Sequence, residues 1–212
     1  MANKREKEKR IRESLAMEYE KSITKHLQFY CLGIAILLLV IICYLFNWVY
    51  IYNSDYGIEA KASGFSFIAA ALSNNYSSAT KIYGDLSVPF YYYAKNSCES
   101  LGIVTLLSFL LNITTIIVLV IIRITKLFKL TFVSISISLV SSILLVLAFI
   151  ISICMKNDKI LSIYCGGNPK CYIGSLSIFA ALLSFFDTII QIIGLKKILV
   201  LNSNYYKKVK QL

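Results

Sequence analysis

The fold of this chain is decided by LGIVTLLSFLLNITTIIVLVII (101–122), RITKLFK (123–129) and LTFVSISISLVSSILLVLAFIISICM (130–155). The first and last of these carry no charge. Each is long enough to cross the roughly 30 Å hydrocarbon core of a bilayer as a helix that rises about 1.5 Å per residue. Because the basic elbow 123–129 is so short, the two helices are predicted to form an antiparallel hairpin.

The composition of the whole chain agrees with a membrane protein. Of 212 residues, 58% are hydrophobic and only 16% are charged, against about 25% charged in an ordinary soluble domain. Two further apolar runs flank the hairpin. The sequence therefore predicts an all-α integral membrane protein, a four-transmembrane-helix bundle with a long first and a short second outer loop. The predicted spans are about 27–52, 101–122, 130–155 and 172–195, with outer loops at 53–100 and 156–171.

The basic residues predict the orientation. The leader 1–26 holds eight Lys and Arg, the elbow 123–129 holds three and the tail 196–212 holds five, which is 16 of the 22 in the chain. Since inner segments carry the excess of positive charge, both termini are predicted to be cytoplasmic in a multi-pass protein of the cell membrane. The inner-face cations would meet an anionic inner leaflet, and they include Arg123, Lys126, Lys196 and Lys197. Their position at the ends of apolar runs argues against nucleic-acid binding.

The segments outside the predicted spans offer contact surfaces. In the leader, Ile11, Leu15, Tyr19 and Ile23 recur every four residues, which predicts an amphipathic helix that either docks a partner or the inner leaflet, or is a solvated extension that fixes orientation. In the outer loop, residues 64–72 are small and apolar and predict a short helix on the membrane surface. The aromatic run Phe90, Tyr91, Tyr92 and Tyr93 is the candidate outer contact. The aromatic residues Trp48, Tyr50 and Tyr52 are predicted to form an interfacial belt at the end of the first span.

Four of the six cysteines are predicted to lie on the outer side: Cys98, Cys154, Cys165 and Cys171. The Gly-Gly-Asn-Pro centre of 165–171 is turn-forming, which favours a Cys165–Cys171 disulfide. The hairpin brings Cys98 and Cys154 to the same end and suggests a second bond. The alternative is thiol redox chemistry, although the close Cys-x-x-Cys spacing of reactive pairs is missing. His26 is the only histidine and no metal-ligand spacing is present, so no metal, cofactor or catalytic residue is predicted.

Asp187 is the only ionisable side chain inside a predicted span. A carboxyl group at that depth is costly and normally faces the bundle interior. Its helix places Ser184 and Gln191 on the same face, and Asn112 of the second span is a polar partner candidate. Two interpretations stay open. Asp187 either couples a proton or ion to a cycle, or is structural, paired with Arg123 or Lys126 or held neutral by Gln191 and serines. The third span adds Ser134, Ser138 and Ser142, whose small-residue spacing favours close helix packing or a lined pathway.

The layout of four spans, cytoplasmic termini and a long first loop resembles that of claudin-like proteins. The Trp…Leu-Trp-Cys-Cys pattern of that family is missing from 53–100, so no family residues are carried over. The predicted function is non-enzymatic, that of a scaffold, accessory subunit or assembly partner with a protein partner or a homo-oligomeric form. A small oligomeric transporter or channel using Asp187 is the alternative, and a membrane thiol oxidoreductase is the third option.

Overall fold

A computed structural model describes residues 2–53, 58–73, 95–156 and 170–210 of the chain. The helices within these ranges are α1 Ala2–His26, α2 Gln28–Cys43, α3 Gly64–Ser73, α4 Lys95–Thr125, α5 Leu130–Lys156 and α6 Ser175–Lys210. The strands within them are β1 Asn47–Asn53, β2 Ile58–Ser63 and β3 Lys170–Ile173.

Four helical segments are long and apolar enough to cross a membrane, as predicted: Glu6–Cys43, Glu99–Thr125, Leu130–Cys154 and Ser175–Lys210. The first of them joins α1 and α2, which are separated only at Leu27. This residue keeps right-handed helical dihedrals (φ −62°, ψ −16°), and its N–H donates to the carbonyl of Ile23 at 2.9 Å. The two helices therefore run as one rod.

The elbow reverses the chain between α4 and α5, which pack side by side as the predicted hairpin. Lys126 has a positive φ of 56°, a left-handed conformation that is uncommon for a residue with a side chain. Its N–H donates to the carbonyl of Ile122 at 2.9 Å and closes the end of α4. The N–H of Leu130 donates to the carbonyl of Leu127 at 3.0 Å as α5 begins.

A small antiparallel sheet at the opposite end of the bundle corrects the all-α prediction. Its order is β2-β1-β3, with Ile51 facing Ala60 on one side and Cys171 on the other. The aromatic and β-branched residues of β1 suit a strand better than a helix. The strand β2 from the first loop and β3 from the end of the second loop pair with β1 and satisfy the hydrogen-bonding groups of its backbone. We call this the sheet end of the bundle, and the end that holds residues 123–129 the elbow end.

The first apolar helix ends earlier than the predicted span 27–52. The helix α2 ends at Cys43, and β1 begins at Asn47. Trp48 therefore does not stand in an interfacial belt. It is fully buried, its indole N–H donates to the carbonyl of Cys43 at 2.9 Å, and its ring packs on that of Tyr44 with centroids 5.0 Å apart.

Two other segments gain detail from the structure. The predicted short helix 64–72 is present as α3, and it packs against α4. Phe67 and Ala70 are fully buried, and a side chain at Gly102 of α4 would lie 2.9 Å from the carbonyl oxygen of Phe67. The predicted tail begins as a helix, because α6 continues without a break from the last apolar segment to Lys210.

The core has three layers. Aromatic and aliphatic side chains fill the sheet end around Tyr44, Trp48 and Leu101. A second apolar cluster fills the elbow end around Leu37, Leu119 and Ile198. Between the two lies a layer of buried polar side chains, and this layer is the candidate site.

Candidate functional site

The polar layer consists of buried side chains from three helices, spaced so that each set lies on one helical face. Its members are Ser108 and Asn112 of α4, Ser134, Ser138, Ser141 and Ser142 of α5, and Ser184, Asp187, Thr188 and Gln191 of α6. Small hydroxyl-bearing residues at spacings of three and four let helices approach closely and bond across the contact. The predicted intramembrane set Asp187, Gln191, Ser184 and Asn112 lies entirely in this layer.

Asp187 is held at the contact between α5 and α6. Its Oδ2 accepts hydrogen bonds from the Ser138 hydroxyl at 2.8 Å and from the Gln191 amide at 2.7 Å. The Ser138 hydroxyl also lies 2.9 Å from the Thr188 hydroxyl. One turn toward the sheet end, the hydroxyls of Ser142 and Ser184 are 2.8 Å apart. The bonds of Ser138 and Ser142 join α5 to α6 through side chains, whereas the Gln191–Asp187 bond lies within α6.

A second set of bonds joins α4 to α5 and α2. The Ser141 hydroxyl donates to Oδ1 of Asn112 at 2.8 Å and lies 3.0 Å from the Ser108 hydroxyl. Ser108 in turn accepts a bond from the Tyr44 hydroxyl at 3.1 Å. Side-chain hydrogen bonds therefore link α5 both to α6 and, through α4, to the residue that follows α2.

The polar layer is incompletely satisfied. Among the residues that the structure describes, four buried side-chain atoms of this layer have no hydrogen-bond partner: Asn112 Nδ2, Ser134 Oγ, Asp187 Oδ1 and Gln191 Oε1. Three of the four come from α5 and α6. Asp187 Oδ1 faces Gly33 of α2, where a methyl group built on the glycine would lie 2.6 Å from it. Only a residue without a side chain leaves room for the carboxyl group here.

The predicted ion pair between Asp187 and the elbow is not formed. Lys126 binds Glu20 of α1 instead, with Nζ 2.9 Å from Oε1. This cation lowers the pKa of the exposed Glu20 carboxyl, chiefly through the hydrogen bond. Lys126 lies beyond the end of α4 in the left-handed elbow, far along the bundle from Asp187. The hydrogen-bond partners of Asp187 are instead Ser138 and Gln191, the serine and glutamine partners that the sequence predicted.

The cysteines are only partly described. Cys154 is a free, exposed thiol, so the predicted Cys98–Cys154 disulfide is not present. The Cys154 side chain is exposed near the end of α5, although the hairpin brings this helix end to the same end of the bundle as the start of α4. Cys165 lies outside the described residues, as do Phe90, Tyr91, Tyr92 and Tyr93. The Cys165–Cys171 bond and the aromatic contact therefore stay predictions.

The leader and the tail form a paired arm at the elbow end, which the sequence interpretation missed. The Tyr19 ring of α1 stacks on Tyr205 of α6 with centroids 4.3 Å apart, and its hydroxyl donates to Oδ1 of Asn202. Burial and the neighbouring Tyr205 and Tyr206 raise the pKa of Tyr19. The available signal was the apolar stripe of the leader, whose C-terminal half, Tyr19 and Ile23, packs on α6. The two predicted alternatives were a helix that docks a partner or the leaflet and a solvated extension. Neither included the contact between the leader and α6.

The elements described define a class of helical-bundle protein with four helices of membrane-spanning length, capped by a three-stranded sheet. No family model matches the chain, and no curated protein or solved structure matches it. Function is therefore inferred from the arrangement of its own residues.

Proposed function

We propose that the chain is a multi-pass protein of the cell membrane with both termini in the cytoplasm. The support is the length and composition of the four helices together with the charge distribution. The three segments at the elbow end hold 16 of the 22 Lys and Arg residues. With this orientation the arm is cytoplasmic and the sheet is external.

Within that membrane we propose a non-enzymatic role, as a scaffold or accessory subunit that binds a protein partner. The observation that carries this proposal is the arm. Here α1 and the end of α6 are held together by the Tyr19–Tyr205 stack and by the hydrogen bond from the Tyr19 hydroxyl to Asn202, while the Glu20–Lys126 pair ties α1 to the elbow. A groove of about 90 Å³ runs between them, lined by Leu15, Glu18, Tyr19, Ser22, Leu201, Asn204, Tyr205 and Lys208. A partly apolar groove of this size, with charged edges, suits one anchoring side chain of a partner protein.

Site-specific photo-crosslinking tests the groove. A photoreactive amino acid replaces either Leu15, which lines the groove, or Met17, which is 68% exposed on another face of the same helix. The protein is crosslinked in its native membrane, purified, and its adducts are identified by mass. We expect one stoichiometric adduct from Leu15 and none from Met17. Equal adducts at both positions, or none at Leu15, would contradict a partner in the groove.

A second function, proton or cation transport through an oligomer, is favoured by one specific observation. Asp187 is fully buried, has no cationic partner among the described residues and leaves Oδ1 unsatisfied. A charged carboxylate at the centre of a membrane helix costs roughly 2.5–3.5 kcal/mol on insertion scales. The packed arrangement is therefore best suited to the protonated, neutral acid, which is the state a proton carrier passes through.

Flux measurements separate this function from the first. Reconstituted vesicles are loaded with a pH-sensitive dye, and the wild-type protein is compared with Asp187→Asn and with Ser136→Ala. Ser136 is exposed and its hydroxyl bonds to Phe132 of its own helix, so this variant controls for the substitution. A proton flux that is lost only in Asp187→Asn supports transport. If all three proteins are equally tight, the transport function fails and Asp187 is structural.

A further inference from the structure

A cleft at the elbow end of the bundle combines cations with apolar surface. It has a volume of about 670 Å³ and lies between the last residue of α1 and one face of α6. His26, Lys196 and Lys197 line it, together with the apolar side chains of Ile193 and Val200. None of the described residues that line this cleft is acidic.

Close packing of α2 and α6 positions Lys197, which lines the cleft. Gly194 lets α6 approach Phe29 of α2 so closely that a methyl group at the glycine would lie 3.1 Å from the Phe29 Cβ. Lys197, one turn further along α6, places its ammonium group 4.7 Å from the centre of the Phe29 ring. This cation–π contact holds the charge over an apolar surface. Lys197 has no ion pair with any described residue, and neither has Lys196.

The cleft lies at the boundary between apolar and charged sequence. The last predicted span ends at residue 195, immediately before Lys196, and Ile193 and Val200 on the same face are 42% and 53% exposed. Along α6, Ile193 precedes the two lysines and belongs to the predicted span, whereas Val200 follows them. A bound molecule would therefore touch the Ile193 side chain on the membrane side and the ammonium groups next to it. That is the arrangement of a phospholipid, with its phosphate above its acyl chains.

We infer that this cleft binds an anionic phospholipid of the inner leaflet, with the headgroup phosphate between His26, Lys196 and Lys197 and an acyl chain along Ile193. The site rests on the proposed membrane placement and is independent of the scaffold role. The occupant is a lipid because a soluble anion would leave the apolar half of the cleft exposed.

The pKa of His26 is a direct measure of whether an anion occupies the cleft. It is the only histidine in the chain, and it ends α1 before the apolar segment begins. Burial lowers its pKa, and the positive charges of Lys197 and Lys25 lower it further. A phosphate between these groups would oppose the repulsion and raise the His26 pKa, because negative charge favours the protonated imidazole.

The test uses the full chain with ¹⁵N-labelled histidine in nanodiscs, either of phosphatidylcholine alone or with added phosphatidylglycerol. We expect the phosphatidylglycerol discs to raise the His26 pKa, and native mass spectrometry to find phosphatidylglycerol retained in preference to phosphatidylcholine. In Lys196→Gln/Lys197→Gln the retention should fall about tenfold or more, since each lysine near an anionic surface contributes roughly a factor of five. Lys207→Gln/Lys208→Gln removes the same charge from the far end of the arm and should retain the lipid.

Three results would overturn the inference. One is an equal loss in the two double variants, which would indicate a general surface potential. The second is a His26 shift that persists undiminished in Lys196→Gln/Lys197→Gln. The third is an equal shift produced by inorganic phosphate in phosphatidylcholine discs, which would assign the cleft to a soluble anion. Failure of the protein to enter nanodiscs would instead refute the membrane placement, so the two failures are distinguishable.

Discussion

Gly33 and Asp187 form a contact in which each residue depends on the other. The carboxyl group occupies the space in which any side chain at position 33 would lie, 2.6 Å from Asp187 Oδ1 and 3.3 Å from Leu119 Cδ1. Both neighbours are fully buried, so neither has free space to move into. The glycine is therefore required by the carboxyl group and not by its own backbone conformation.

We predict that Gly33→Ala destabilises the protein by about 1–2 kcal/mol. The added methyl group overpacks the core at a cost of about 1–3 kcal/mol, offset by up to about 1 kcal/mol of helix propensity. The measurement is unfolding by denaturant in mixed micelles. In an Asp187→Ala background the contact is gone, so the same substitution should be neutral or stabilising. A loss of equal size in both backgrounds would show that Asp187 is not the obstacle.

The sequence predicted the importance of Asp187 but gave no indication of the role of Gly33. A lone carboxyl in an apolar run is conspicuous, and its own helix carries Gln191 one turn away. Asp187 bonds to Ser138 and not to Lys126 because of where each residue lies along the bundle, and only the packing of the helices determines this. A glycine in an apolar helix has no such signal, because its role depends on a residue from another helix.

At the scale of elements, hydrogen bonds between pairs of hydroxyl groups stabilise the contact between α5 and α6. Ser142 bonds both to Ser184 across the contact and to the Ser138 carbonyl of its own helix, each at 2.8 Å. Ser136 makes only the bond within its helix, to the carbonyl of Phe132 at 3.0 Å, and faces outward. The two serines therefore share the bond within the helix and differ in burial and in the bond between helices.

We predict that Ser142→Ala costs about 0.6 kcal/mol and at most about 1.7 kcal/mol, the range measured for bonds between membrane helices. Ser136→Ala should be close to neutral. A double-mutant cycle of Ser142→Ala with Ser184→Ala in micelle unfolding checks the pair, and the coupling energy should match the single loss. A coupling energy of zero would mean that the two hydroxyls do not stabilise each other.

The sheet depends on Gly174, which joins β3 to α6. Its N–H donates to the Trp48 carbonyl at 2.7 Å, and a methyl group here would lie 2.3 Å from the carbonyl oxygen of Asn47. The obstacle is backbone of a paired strand, which cannot rotate away as a side chain can.

We predict that Gly174→Ala separates β3 from β1 and costs about 1–3 kcal/mol by overpacking. The chain has a single tryptophan, Trp48, buried below this junction, so its emission should move to longer wavelength as water reaches it. Ser175→Ala changes the next residue, which is exposed, and should leave the emission unchanged. Wild-type emission and stability in Gly174→Ala would contradict this account of the sheet.

At the scale of the whole molecule, we predict that the arm and α3 lie on opposite sides of the membrane. Met17→Cys and Leu72→Cys, in a background without the native cysteines, place thiols at side chains that are 68% and 70% exposed. A membrane-impermeant maleimide should label Leu72→Cys in intact cells and Met17→Cys only after permeabilisation, because the basic elbow end stays inside. The reverse pattern would invert the proposed orientation, and labelling of both in intact cells would refute it.

The sequence by itself determined the four long helices, the hairpin and the polar face around Asp187. These follow from local composition, because a long uncharged run satisfies its backbone bonds only as a helix in an apolar environment. The three-stranded sheet, the buried Trp48 and the paired arm were decided only by the tertiary structure. Each joins segments that are distant along the chain. The strand 47–53 forms only because 58–63 and 170–173 bring it partners, and Tyr19 finds Tyr205 only after the bundle has aligned α1 with α6.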